Sequence, residues 1–129
     1  MIASTKAYDL IKERYPFSGI PYTMKGDVYI GYGYRLHRGP VTTNDERISW
    51  GLEHADAVLL CNIVIAEQAI NDMIVVPINQ NQFDYMVSIY YFDEQRAKKI
   101  IIAMNTGDYE NIRELIDSNE LFFKSYPEN

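Results

Sequence analysis

A chain of 129 residues, 47% of them hydrophobic, is long enough to bury a core of its own and short enough to be one domain. Its 13% aromatic content excludes a disordered chain. The net charge of −6, with no Lys/Arg stripe interleaving the aromatic residues, disfavours nucleic acid as a partner.

Taken in chain order, Thr5 to Tyr15 puts Tyr8, Leu10, Ile11 and Tyr15 at roughly helical spacing, and Pro16 ends the run. Between Ser18 and Val41 the glycines Gly19, Gly26, Gly31, Gly33 and Gly39 interrupt β-branched and aromatic residues, a pattern of two or three short strands joined by tight turns. Ser49 is placed to cap a long helix in which Leu52, Ala55, Leu59, Ile63, Ala66, Ile70 and Met73 recur every three or four residues. At about 1.5 Å per residue that helix would extend roughly 35 Å, enough to join a β part to a helical part. Its centre, Ala57 to Ala66, is apolar nearly all round but falls short of the roughly 20 residues a membrane span needs, so it reads as buried core. Further helices are expected from Gln80 to about Phe92, from Glu94 to about Asn105 and from Asp108 to about Ile116, with Gly107 as a stop and Asp108 as a cap. The expectation is a single α+β domain, with a small β subdomain over about 16–46 and a helical part formed by 1–15 and 47–129.

Cys61 sits alone in mid-helix among Leu59, Leu60 and Ile63 and reads as a buried structural thiol. His37 and His54 share no ligand spacing with each other or with Cys61, so neither a metal site nor any cofactor is expected. The N-terminal stretch carries Lys6 and Asp9 and lacks an apolar segment, so no signal peptide and no membrane insertion are expected.

The motif with most functional content is Tyr29-Ile30-Gly31-Tyr32-Gly33-Tyr34, a short distance after Leu10-Ile11-Lys12 and Tyr22. It resembles the catalytic hairpin of the phage-type lysozyme and endolysin family, which reads approximately L-I-K-x-x-E-G-x-x-L-x-A-Y, then a short hairpin carrying Asp, then T-I-G-Y-G-H. The likeness continues through Ile48-Ser49, Ala55, Leu59-Leu60, Ala69-Ile70-Asn71 and Val75-Val76-Pro77. It goes on in Asn79-Gln80-Asn81-Gln82-Phe83-Asp84, with Val87-Ser88 and Phe92, similar to L-T-x-N-Q-F-D-A-L-V-S-F-x-F-N. Asn105-Thr106-Gly107-Asp108-Tyr109 is similar to N-x-G-D-Y/W, whereas Ser118 to Asn129 does not resemble the family's closing helix. The resemblance implies a lysozyme-like fold, a peptidoglycan substrate cleaved between its two amino sugars, and Glu, Asp and Thr as the working residues.

In the register of this resemblance the three working residues are gone. Tyr15 falls where the catalytic Glu belongs, and Pro16 follows it in place of Gly. The chain is one residue short between Tyr22 and Ile30, so the family Asp falls on Met24, or on Thr23 if the gap lies earlier. The family Thr is Tyr29 and the family His is Tyr34. Hydrolysis with inversion needs two carboxyl groups roughly 6.5 to 9.5 Å apart, and the remaining candidates are Glu13 and Asp27. Glu13 lies two residues, about 200° of helix, from Tyr15 and would face away from a cleft that Tyr15 faces. Asp27 would share a strand face with Tyr29, or serve as a turn residue beside Gly26. A phenol, with a reference pKa near 10, is a poor proton donor at neutral pH.

Tyr15, Tyr22, Tyr29, Tyr32 and Tyr34 have two readings: packing of a small glycine-rich sheet, or an uncharged cleft that stacks on sugar rings or anchors a protein. The acidic charge would repel the anionic bacterial wall, which weighs against simple lysis, though it also serves solubility. The expectation is therefore a lysozyme-like protein without catalytic residues. It would act as a pseudoenzyme that binds a peptidoglycan-like glycan or a host or phage protein, in the bacterial cytoplasm or on a virion. The rival is an active muramidase or lytic transglycosylase using Glu13, Asp27 or both, and a structural virion component is a third class.

Overall fold

The computed structural model describes residues Met1–Ile116. The element order is α1 (Thr5–Arg14), three strands β1 (Ser18–Met24), β2 (Asp27–Gly31) and β3 (Tyr34–Arg38), a 3-10 turn (Asp45–Arg47), then α2 (Leu52–Met73), α3 (Gln80–Phe92), α4 (Glu94–Thr106) and α5 (Tyr109–Leu115). The described residues thus form an α+β fold of one small antiparallel sheet and five helices. They divide into two compact units, one from Ile11 to Asn62 and one combining Met1–Leu10 with the chain from Ile63 onward.

In the first unit the strands form a meander in the order β1-β2-β3. Met24 and Asp27 pair across the two-residue loop Lys25-Gly26, both at positive φ, which is the tight hairpin turn whose twist suits its flanking strands. The alternation of a strand then sorts its side chains. Val28 and Ile30 are fully buried, whereas Asp27 and Tyr29 on the other face are only half-buried. The 3-10 turn packs against β1, and Trp50 donates its backbone N–H to the Gly19 carbonyl at 2.8 Å.

In the second unit the core gathers Phe83, Met86, Val87, Ala97, Ile100, Ile101 and Met104, with α4 packed between α3 and α5. α3 begins with a capping box: the Asn79 side chain accepts from Gln82 N–H, and the Gln82 side chain accepts from Asn79 N–H, both at 2.9 Å. Asp84 is buried and accepts from Ser4 N–H at 2.8 Å, from Gln80 Nε2 at 2.9 Å and from the Ser4 hydroxyl. Its carboxylate therefore fixes the N-terminal segment to α3. Asn105 accepts from Val75 N–H and donates to the Met73 carbonyl, each at 2.9 Å, and so closes the end of α2. Gly107 ends α4 in the left-handed conformation and Asp108 caps α5.

Three expectations are corrected. Ser49 does not cap α2: the helix starts at Leu52, and the Gly51 carbonyl accepts its first bond, from Ala55 N–H at 3.1 Å. The centre of α2 is not buried all round. Leu59, Ile63 and Ala66 are buried, but Leu60, Val64 and Ile65 are 49%, 48% and 58% exposed. Residues three and four apart make one stripe, and only that stripe is covered, so an apolar sequence does not by itself put every side of a helix inside. For the same reason Cys61 is exposed rather than a buried thiol. None of the described helices is long and apolar enough to cross a membrane.

Candidate functional site

The face of the β1–β2 hairpin that carries Tyr22, Met24, Asp27 and Tyr29 lies within the first unit. Register explains why these four meet: Tyr22 pairs with Tyr29 and Met24 with Asp27, and cross-strand partners point to the same side. All four are half-buried, so the face is neither core nor open surface. The Tyr22 and Tyr29 rings lie 6.1 Å apart between centroids at 30°. Burial raises the Tyr22 pKa above its ordinary value, with the nearby phenols of Tyr15 and Tyr29 adding to the shift. The Tyr22 hydroxyl therefore stays protonated at neutral pH and can both donate and accept hydrogen bonds.

Tyr15 directly follows α1, its N–H donating to the Ile11 carbonyl at 2.8 Å. Its ring covers Gly33 so closely that a Cβ there would meet Tyr15 Cγ and Cδ2 at 2.5 Å, and Gly33 itself has a φ of +72°. Both the missing side chain and the left-handed backbone are needed for Tyr15 to lie there. Tyr34 does not join this group. It pairs with Ile30, hence with the opposite face, and its ring packs on Trp50 at 5.7 Å, while Trp50 meets His54 edge-on at 4.5 Å. Tyr32 is buried, with Lys12 Nζ 5.0 Å from its ring centre and Phe17 at 5.8 Å.

The two spare carboxylates stand differently. Glu13 is exposed on α1. Asp27 does share the face of Tyr29, but its oxygens are engaged: Oδ1 accepts from Gly39 N–H at 3.0 Å, and Oδ2 lies 3.6 Å from Arg35 Nη1. Arg35 pairs with Tyr29 across β2 and β3. Thr23 is exposed and lies on the other side of β1 from Tyr22 and Met24, so of the two positions open to the family Asp it is Met24 that reaches this face. The face therefore carries phenols, a thioether and one ion-paired carboxylate, a set suited to stacking and hydrogen bonding rather than to paired acid and base chemistry.

One group had no functional signal in the sequence. His37 on β3 meets Asp45 of the 3-10 turn, Nε2 to Oδ2 at 2.8 Å, while Nδ1 lies 2.9 Å from the Arg38 carbonyl. Hydrogen bonding to that carbonyl, then to Asp45, raises the His37 pKa. Asp45 is buried, and its own pKa is lowered by the Thr42 N–H it accepts at 2.7 Å and then by His37. Thr42 preceding Asp45 by three residues was the available clue, since this spacing builds a hydrogen-bonded turn.

The family model for phage lysozyme matches residues 16–118, beginning one residue past Tyr15. Among solved structures the chain is similar to an endolysin from Escherichia coli O157:H7 phage FAHEc1, with 26% identity over 97% of this chain and 89% of that one and a TM-score of 0.67. It is also similar in fold to the muramidase domain of SpmX from Asticaccaulis excentricus, with 23% identity, 91% and 78% coverage and a TM-score of 0.66. No curated protein matches the chain.

Proposed function

The chain belongs to the phage lysozyme family, and we propose that it is a member that binds a peptidoglycan-like glycan through the Tyr22–Tyr29 face without hydrolysing it. The observation that carries this reading is the content of that face. Two half-buried phenols, with Tyr15 beside them, stand with Met24 where acid chemistry would need a second carboxylate. Aromatic rings cover the apolar faces of sugars and their hydroxyls exchange hydrogen bonds with sugar hydroxyls, so binding needs no charge.

Co-sedimentation with purified, insoluble peptidoglycan tests the binding. The wild type is expected in the pellet, and the Tyr22→Phe/Tyr29→Phe variant in reduced amount because stacking survives and the hydroxyls do not. Tyr22→Ala/Tyr29→Ala should remain in the supernatant. A wild type that stays wholly soluble rejects the glycan and leaves a protein partner as the object of the search.

One observation favours the rival reading, an active muramidase: Asp27 is the cross-strand neighbour of Met24 and so reaches the face where the family Asp would stand. Its engagement by the Gly39 amide and Arg35 weighs against a free nucleophile or base. Asp27→Asn and Glu13→Gln decide between the two, because under the binding reading neither changes the products of incubation with peptidoglycan.

A further inference from the structure

His37 is enclosed by oxygen acceptors at both ring nitrogens. Nδ1 faces the Arg38 carbonyl at 2.9 Å, and Nε2 faces both oxygens of Asp45, at 3.0 and 2.8 Å. A carbonyl and an ionised carboxylate can only accept. The imidazolium alone donates to both, whereas either neutral tautomer leaves a nitrogen lone pair pointed at an oxygen.

The same carboxylate organises the chain that follows β3. Asp45 Oδ2 also accepts from Thr42 N–H at 2.7 Å, and Asp45 N–H returns to the Thr42 carbonyl at 3.1 Å. At the near end of the loop Gly39 N–H donates to Asp27 Oδ1 at 3.0 Å. No residue from Gly39 to Asn44 is buried, so the loop contributes nothing to the core and is held at its ends by these polar contacts. Asp45, by contrast, is 3% exposed.

We propose that His37 and Asp45 form a proton-operated latch on the Gly39–Asn44 loop, closed while the imidazole carries both protons and released when it loses one. The charged groups around His37 favour the closed form. Asp45 approaches from the 3-10 turn, where Glu46 and Arg47 are exposed beside it; Asp27 approaches from β2 and is itself paired to Arg35. Arg38, exposed on β3, opposes protonation by its charge but supplies the carbonyl acceptor. β1, against which the 3-10 turn packs, has no charged side chain. The sign follows from linkage: a folded-state pKa above the unfolded value stabilises the closed latch below about pH 6.5, and that contribution is lost as pH rises through the folded pKa. Release would also free Asp27 from the Gly39 amide at the edge of the tyrosine face. The latch itself does not depend on the glycan reading, because its readouts need no ligand.

The test is a pH titration by NMR of the whole chain, following the His37 ring and the exchange protection factors of the Gly39 and Thr42 amides, which correct for the ordinary pH dependence of exchange. Val28 and Ile30, buried in the same sheet, serve as reference amides. The expected result is a His37 midpoint above about 6.5, with protection at Gly39 and Thr42 falling as pH crosses it while Val28 and Ile30 hold. Each unit of excess corresponds to about a tenfold change in latch closing. His37→Gln should abolish the pH dependence of both loop amides, and Asp45→Asn should lower the His37 midpoint. A midpoint at or below about 6.5, protection that ignores the His37 titration, or Val28 and Ile30 falling in step with the loop would each overturn the proposal. Should Asp45→Asn fail to fold, the wild-type and His37→Gln titrations decide it.

Discussion

Two stretches of this chain carry the family pattern, and they use it in opposite ways. In the second unit the matching polar residues hold structure: Asn79 and Gln82 close a capping box, Asp84 ties down the N-terminal segment, and Asn105 and Asp108 finish α2 and start α5. In the first unit the hydrophobic and glycine frame matches, with Val28 and Ile30 buried and Gly33 lying under Tyr15, while the face proposed to bind carries Tyr22, Tyr29, Met24 and an ion-paired Asp27. A fold is maintained by cores and caps and does not need its reactive groups, so catalytic positions can change while the scaffold remains.

If the second unit is the structural anchor, damage there should be the most costly. Phe83→Ala removes a fully buried ring and is expected to lower stability by about 3–5 kcal/mol in chemical denaturation. Asp84→Ala leaves the Ser4 and Gln80 donors without their charged acceptor and is expected to cost about 2–3 kcal/mol. A loss below about 1 kcal/mol at either position would break the contrast between the units.

The first unit has its own sensitive point. Gly33→Ala forces a Cβ into the Tyr15 ring at a left-handed backbone position, and a loss of about 2 kcal/mol is expected together with an altered tyrosine near-UV spectrum. Helix caps sharpen the comparison at smaller scale. Asn79→Ala should cost about 1 kcal/mol, whereas Ser49→Ala, which removes no cap, should stay within about 0.5 kcal/mol. The gentlest probe is pH. The His37–Asp45 contribution should be complete between the ordinary carboxylate range and about pH 6.5. It should decline as pH rises through the elevated His37 pKa, and on the acid side as pH falls through the lowered Asp45 pKa. Thermal unfolding of the wild type against His37→Gln across this range checks both limbs.

Helices and strands were legible because their signals are local: Pro16 after α1, Gly107 and Asp108 between α4 and α5, and the three-and-four spacing of Leu59, Ile63, Ala66 and Ile70. What stayed hidden depends on neighbours. The exposure of Leu60, Cys61, Val64 and Ile65 is fixed by which side of α2 is covered, information that apolar content lacks. At the candidate site the sharing of one face by Asp27 and Tyr29 follows from strand alternation alone, but the capture of Asp27 by Gly39 and Arg35 required the third strand. Tyr34 was grouped with the other tyrosines by sequence, yet its pairing with Ile30 turns it toward Trp50. The expected divergence from the family's closing helix over Ser118 to Asn129 lies outside the described residues.

The claim that this lysozyme-family chain binds without cutting is tested most directly by incubating the purified protein with peptidoglycan and analysing the soluble fraction by mass spectrometry for reducing-end and anhydro-muropeptides. The account predicts no products above a boiled control, for the wild type and for Glu13→Gln and Asp27→Asn alike. Products from the wild type that disappear in either variant would contradict it and identify the carboxylate that does the chemistry.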